Sequence, residues 1–157
     1  MQTRLDHLTN PVAAKAVQGL VSAGKAVAES TLPAATGELV LLRVSQINGC
    51  GFCIDMHTKE ATAAGETPAR LHLVAAWRDA TVFTDAERAA LALAEEGTRI
   101  ADAAEGVSDE VWANAAKHYD EEQLGALVSV IAIINAFNRL NVITQRPGGD
   151  YRPGQFD

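Results

Sequence analysis

Aromatic residues make up only 5% of this 157-residue chain. Runs of β-branched residues are short while alanine is abundant, so the composition argues against a sheet and for closely packed helices. We expect an all-α fold. The length suits one domain, residues 1–157, and is too short for two comfortable ones. Basic residues are also few, 13 against 20 acidic ones for a formal charge of −7, and they form no stripe that could neutralise phosphates. No nucleic-acid partner is expected.

The N-terminal stretch MQTRLDHLTNPVAAK lacks a basic segment leading into an apolar run, so it does not read as a secretory signal. The most apolar segment, Leu124 to Ile134, is too short to cross a bilayer and fits a helix buried in a core or a subunit interface. These features predict a cytoplasmic protein with no membrane partner.

Cysteine is the scarcest informative residue, with two in the chain and the two only three positions apart. Random placement gives that separation about one time in a hundred, so the pair calls for a chemical reason. A disulfide across two residues closes almost no loop and adds little stability, which excludes a stapled secreted scaffold. Redox or metal chemistry remains.

Helix punctuation predicts about seven helices. Asn10-Pro11 opens one that runs to about Glu29, and a break follows at Ser30 to Pro33. The next carries GELVLLRVSQI and ends at Asn48-Gly49, a pair suited to left-handed backbone. Another starts at Gly51 and is closed by Gly65, and Thr67-Pro68 opens a shorter one through Trp77. Thr84 with Glu87 forms a capping box, Ser108 begins a further helix, and Asp120 with Gln123 opens the longest. That last helix carries Leu124, Leu127, Val128, Ile131, Ile134 and Phe137 as a stripe, with Val130 and Ile133 widening it, so burial on several sides is expected. The terminal RPGGDYRPGQFD should be irregular.

The chemistry concentrates in ELVLLRVSQINGCGFCIDMH, residues 38 to 57. Cys50 and Cys53 fall at the start of a helix, where unpaired N–H groups and the helix dipole favour the reactive thiolate. Cys53 and His57 are four apart and share a helical face. In one continuous helix Glu38 would lie roughly 18 Å from Cys50, but a bend at Gly49 folds it back toward His57. A relay of Glu38, His57, Cys53 and Cys50 is then expected, suited to a peroxide reaction that needs a thiolate, a proton for the departing alkoxide and a second thiol.

Taken as Glu38, Cys50-Gly-Phe-Cys53 and His57, the pattern E-x11-C-x-x-C-x-x-x-H resembles the AhpD-like alkylhydroperoxidases of the carboxymuconolactone decarboxylase superfamily. The late segment ALVSVIAIINAFNRLNVI is similar to the short, single-motif members. The resemblance implies a homo-oligomer, trimeric or hexameric, formed through the apolar C-terminal helix. It also implies reduction of hydroperoxides without haem or flavin, with no cofactor or metal. Cys53 would attack the peroxide, Cys50 would resolve the intermediate, and a dithiol or lipoyl-bearing protein would reduce the pair. One departure is Phe52, which stands where the best-known AhpD proteins carry a histidine.

General C-x-x-C reasoning would instead make Cys50 the nucleophile. Three other readings use the same residues: a redox-sensing or structural oligomer without turnover, a zinc site on Cys50, Cys53, His57 and Glu38, and inert thiols. Structural zinc usually draws on two separate ligand pairs. Asp55 and Lys59 are expected on the solvated face, and His7, His72 and His118 as structural or surface residues. Trp77, Trp112 and Phe137 should fill core or interface volume, and Asn135, Asn138 and Arg139 should find hydrogen bonds, within the chain or across subunits.

Overall fold

In a computed structural model describing residues 3–156, each expected cap is in place. Asn10 accepts from the N–H groups of Val12 and Ala13 at the start of α1, Pro11–Ala28. After the break come α2, Ala34–Asn48, and α3, Gly51–Ala63. Thr67 caps α4, Pro68–Leu73, and the Thr84–Glu87 capping box opens α5, Asp85–Thr98. Ser108 caps α6, Asp109–His118, and the Asp120–Gln123 box opens α7, Glu121–Thr144. The described residues contain these seven α-helices, two short 3₁₀ turns and no strand.

One helix differs from expectation. The segment from Pro68 leaves α-geometry after Leu73 and continues to Asp79 as a 3₁₀ turn kinked at Ala76. The tighter coil turns Trp77 inward, where its indole N–H donates to the buried Glu95 carboxylate at 3.0 Å. Local propensity yields there to a tertiary partner.

Helix α2 lies at the centre, packed against α3, α5 and α7, and its Leu39, Val40, Leu42 and Val44 are fully buried. α7 buries Leu127, Val130, Ile131 and Ile134, but Val128 is exposed, because one step along a helix turns a side chain about 100° away from Leu127. Trp112 is exposed too, so it fills no core volume in this chain. The expectation that no run could span a bilayer is corrected: α7 is 24 residues long, and by length and composition alone it would suffice. The apolar run does not stop at Ile134, since the asparagines beyond it continue the helix while facing α2 and α3. In the fold α7 packs against α1, α2 and α5.

Those asparagines fix the turn on which the site depends. Asn48, at the end of α2, donates to Asn135 Oδ1 at 3.0 Å and to Asn138 Oδ1 at 2.9 Å, and Asn138 donates to Ser45 Oγ at 3.1 Å. The expected partners are therefore found within the chain. Gly49 follows at φ 67°, and the N–H groups of Gly49 and Cys50 close back on Gln46 O and Ser45 O. That arrangement reverses the chain from α2 into α3.

Candidate active site

Cys50 is both the residue after the bend and the cap of α3, its sulfur accepting the Cys53 N–H at 3.3 Å. The two cysteines are joined as a disulfide, with Cα atoms 5.3 Å apart, and each residue is 1% exposed. Neither is the more accessible thiol that general C-x-x-C reasoning would select. One difference separates them: Cys53 lines a cavity and Cys50 does not.

Reversal at Gly49 brings α2 alongside α3, and Glu38 Oε2 lies 3.2 Å from His57 Nδ1. His57 is buried, Glu38 half-buried, and both line the same cavity as Cys53. The other ring nitrogen, His57 Nε2, is buried without a hydrogen-bond partner among the described residues. With Glu38 on Nδ1, that nitrogen is left to meet a ligand. Glu38, His57 and Cys53 are thus gathered at one cavity wall, with Cys50 directly behind.

The cavity measures about 590 Å³. Val17, Val21 and Val27 of α1 form one side, Leu41 and Met56 another, and Ile133, Ile134 and Phe137 of α7 a third. Among the described residues no group of three or more His, Cys, Asp or Glu is arranged to hold a metal.

Several residues at the site were not signalled by the sequence. Asn141 donates from Nδ2 to Cys53 Sγ at 3.2 Å, while its own Oδ1 is buried without a partner among the described residues. It continues the polar series Asn135, Asn138 along α7, and that spacing was the available clue. Asp55 and Lys59, expected on the solvated face, instead hold the C-terminal segment against α3. Asp55 accepts from the N–H groups of Gly149 and Tyr151, and Lys59 donates to their carbonyls at 3.0 and 2.9 Å. Burial would raise the Asp55 carboxyl, but Lys59 and the two backbone donors hold it below its ordinary value. The segment is irregular, as expected, and lays Tyr151 and Phe156 against Phe52, whose ring face also carries the Arg146 guanidinium at 3.9 Å. Phe52 is therefore a packing platform. His72 and His118 are exposed, whereas His7 is buried, with Nε2 3.0 Å from an Arg146 nitrogen.

The profile of the Carboxymuconolactone decarboxylase family matches residues 11–96, the span that carries α1 to α4, most of α5 and both cysteines. The uncharacterized protein YdfG of Bacillus subtilis is 39% identical over 131 residues, covering 83% of this chain and 88% of that protein. A protein of unknown function from Agrobacterium tumefaciens, a candidate antioxidant defence protein AhpD, superposes with a TM-score of 0.88 at 29% identity. That match covers 96% of this chain and all of the other. The debrominase Bmp8 shares the fold at 23% identity and a TM-score of 0.76, over 92% of this chain and 75% of its own.

Proposed function

The chain belongs to the carboxymuconolactone decarboxylase family as an AhpD-like member, and on that premise we propose that it is a thiol peroxidase acting on alkyl hydroperoxides. One observation carries this reading: Cys53, and not Cys50, lines the cavity together with the Glu38–His57 pair.

In the reduced protein His57, held by Glu38, takes the Cys53 proton. The Cys53 thiolate attacks the terminal oxygen of a hydroperoxide, an S–O bond forms as the O–O bond breaks, and the alkoxide takes the proton from His57 and leaves as an alcohol. Cys53 is now a sulfenic acid. The Cys50 thiol attacks its sulfur, water departs, and the disulfide forms. An external dithiol, small or carried on a lipoyl-type protein, returns both thiols by exchange. The same reading takes the protein as a homo-oligomer, with Val128, Val142 and Ile143 left exposed on α7 as apolar surface for a second copy.

The Bmp8 fold serves a debromination, so fold likeness does not select peroxide chemistry. What supports it here is the second cysteine placed to capture a sulfenic acid. A redox switch without turnover is the competing reading, favoured by sulfurs so buried that a reductant's approach is restricted. Consumption of cumene hydroperoxide with dithiothreitol as donor decides between them. Many turnovers per chain, abolished in Cys53→Ser, are expected; consumption that stops after one equivalent supports the switch, and full turnover in Cys53→Ser overturns the mechanism.

A further inference from the structure

Arg146 differs from the other half-buried arginines of the molecule. Arg43 ends on Glu95 at 2.6 Å, Arg70 on Glu66 at 2.9 Å and Glu87 at 2.5 Å, and Arg88, which has no carboxylate, donates to the carbonyls of Trp77, Ala80 and Arg78. Among the described residues Arg146 has no carboxylate partner. One nitrogen meets His7 Nε2 at 3.0 Å, and the guanidinium lies over the rings of Phe52 and Phe156, 3.9 and 5.7 Å from their centroids. A guanidinium carries five N–H donors, so most of these have no protein acceptor among the described residues and are open to solvent or a ligand.

His7 does not supply the missing charge. Its Nε2 accepts from Arg146, which puts the ring proton on Nδ1 and leaves the imidazole neutral; burial and then the Arg146 charge both push its pKa down. Asp6 is the acid that acts on Arg146 from a distance, but it is fully exposed and its carboxylate accepts from the Leu8 N–H at 2.9 Å. Burial also lowers the Arg146 pKa, with Asp6 opposing it.

Arg146 and His7 line the same cavity as Cys53. Its remaining wall is mostly apolar, with Val17, Val21, Val27, Leu41, Ile133 and Phe137, and its size falls in the range of about 300–1,000 Å³ typical of small-molecule sites. A ligand that satisfies both parts has one planar anionic end, matched to the guanidinium fork, and a hydrocarbon body. We propose that this cavity binds an amphipathic carboxylate, its head on Arg146 and its chain along the apolar wall past Cys53. Resting on the peroxidase reading, the substrate is the hydroperoxide of such an acid.

The test is calorimetric titration of the oxidised protein with decanoate and with decanol, in the absence of peroxide and donor. Decanoate should bind at one molecule per chain and at least about tenfold more tightly than decanol. Arg146→Gln should bring decanoate down to the level of decanol, and Arg146→Lys should recover part of the difference. Leu41→Trp, which fills the cavity, should weaken both ligands. Equal affinities in the unaltered protein, or decanoate binding indifferent to Arg146→Gln or to Leu41→Trp, would overturn the proposal. The cumene hydroperoxide assay keeps the two readings apart, because that peroxide carries no carboxylate. Decanoate selectivity without turnover removes the peroxidase reading and leaves the site; turnover without selectivity removes the site alone.

Discussion

Glu38 Oε2 lies 3.2 Å from His57 Nδ1, although 19 positions and a reversal of chain direction separate the two residues. The contact orients the imidazole and leaves Nε2 without another partner among the described residues. Glu38→Gln keeps the shape but removes the charge that stabilises an imidazolium. Steady-state peroxide consumption should fall about a hundredfold, with the helical circular dichroism unchanged.

Cys50 and Cys53 have unequal tasks in the proposed cycle, and trapping separates them. Cys50→Ser should consume about one equivalent of peroxide and accumulate a sulfenic acid on Cys53 that dimedone labels. Cys53→Ser should show no peroxide-dependent label. Labelling of Cys50 in the Cys53→Ser protein would reverse the assignment.

Asn141 donates to the Cys53 sulfur at 3.2 Å. In the reduced protein the same amide is placed to donate to a thiolate, so Asn141→Leu should slow alkylation of Cys53 by iodoacetamide several-fold at neutral pH. Because the Asn141 Oδ1 is buried without a partner among the described residues, the substitution also removes an unsatisfied acceptor. Stability should therefore change less than reactivity.

Glu95 is buried with Arg43 at 2.6 Å, Trp77 Nε1 at 3.0 Å, Arg78 in contact and Arg99 at 3.5 Å. Burial alone would raise its pKa, but hydrogen bonds from Arg78, Trp77 and Arg43 outweigh it and hold the carboxyl below its ordinary value of 4.5. A depressed folded value means that this stabilisation is complete above pH 4.5 and is lost as pH falls through the folded value. Glu95→Gln leaves Arg43 without its counter-ion and should cost about 3 kcal/mol at neutral pH, measured by urea unfolding. The variant should also lose part of the acid sensitivity, so its deficit narrows at lower pH.

Gly148 passes so close to Gly51 that a Cβ would overlap the Gly51 carbonyl oxygen and stand 2.8 Å from its carbon. Both obstacles are backbone and neither can rotate away. Gly148→Ala should lift the C-terminal segment off α3, lower stability by about 1–3 kcal/mol and expose the chain near Tyr151 to limited proteolysis.

The helix starts were legible because each depends on residues within four positions of one another. Asn10, Thr67, Thr84, Ser108 and Asp120 all accept hydrogen bonds from the helices they precede. Asn48-Gly49 was legible for the same reason, since glycine adopts φ 67° at no steric cost. From those two signals the meeting of Glu38 with His57 could be anticipated.

Asp55, Lys59 and Arg146 were not legible in this way. Asp55 and Lys59 carry the spacing of an ordinary exposed i,i+4 pair, which they also form at 2.8 Å. Their further role appears only when residues 90 or more positions later fold onto α3. Of the partners of Glu95 only Arg99 is near it in sequence; Arg43, Trp77 and Arg78 reach it from other elements.

The sequence by itself determined the helices, the reversal between α2 and α3, and the register of Cys50, Cys53 and His57, because covalent neighbours and one turn of helix set those relationships. Only the tertiary structure decided which cysteine faces the cavity, that Asn141 reaches the sulfur from 88 positions away, and that Arg146 lines the cavity with no carboxylate partner among the described residues. Such contacts are chosen by the packing of whole helices against one another, in which many side chains share in the free energy and no local stretch of residues specifies the outcome.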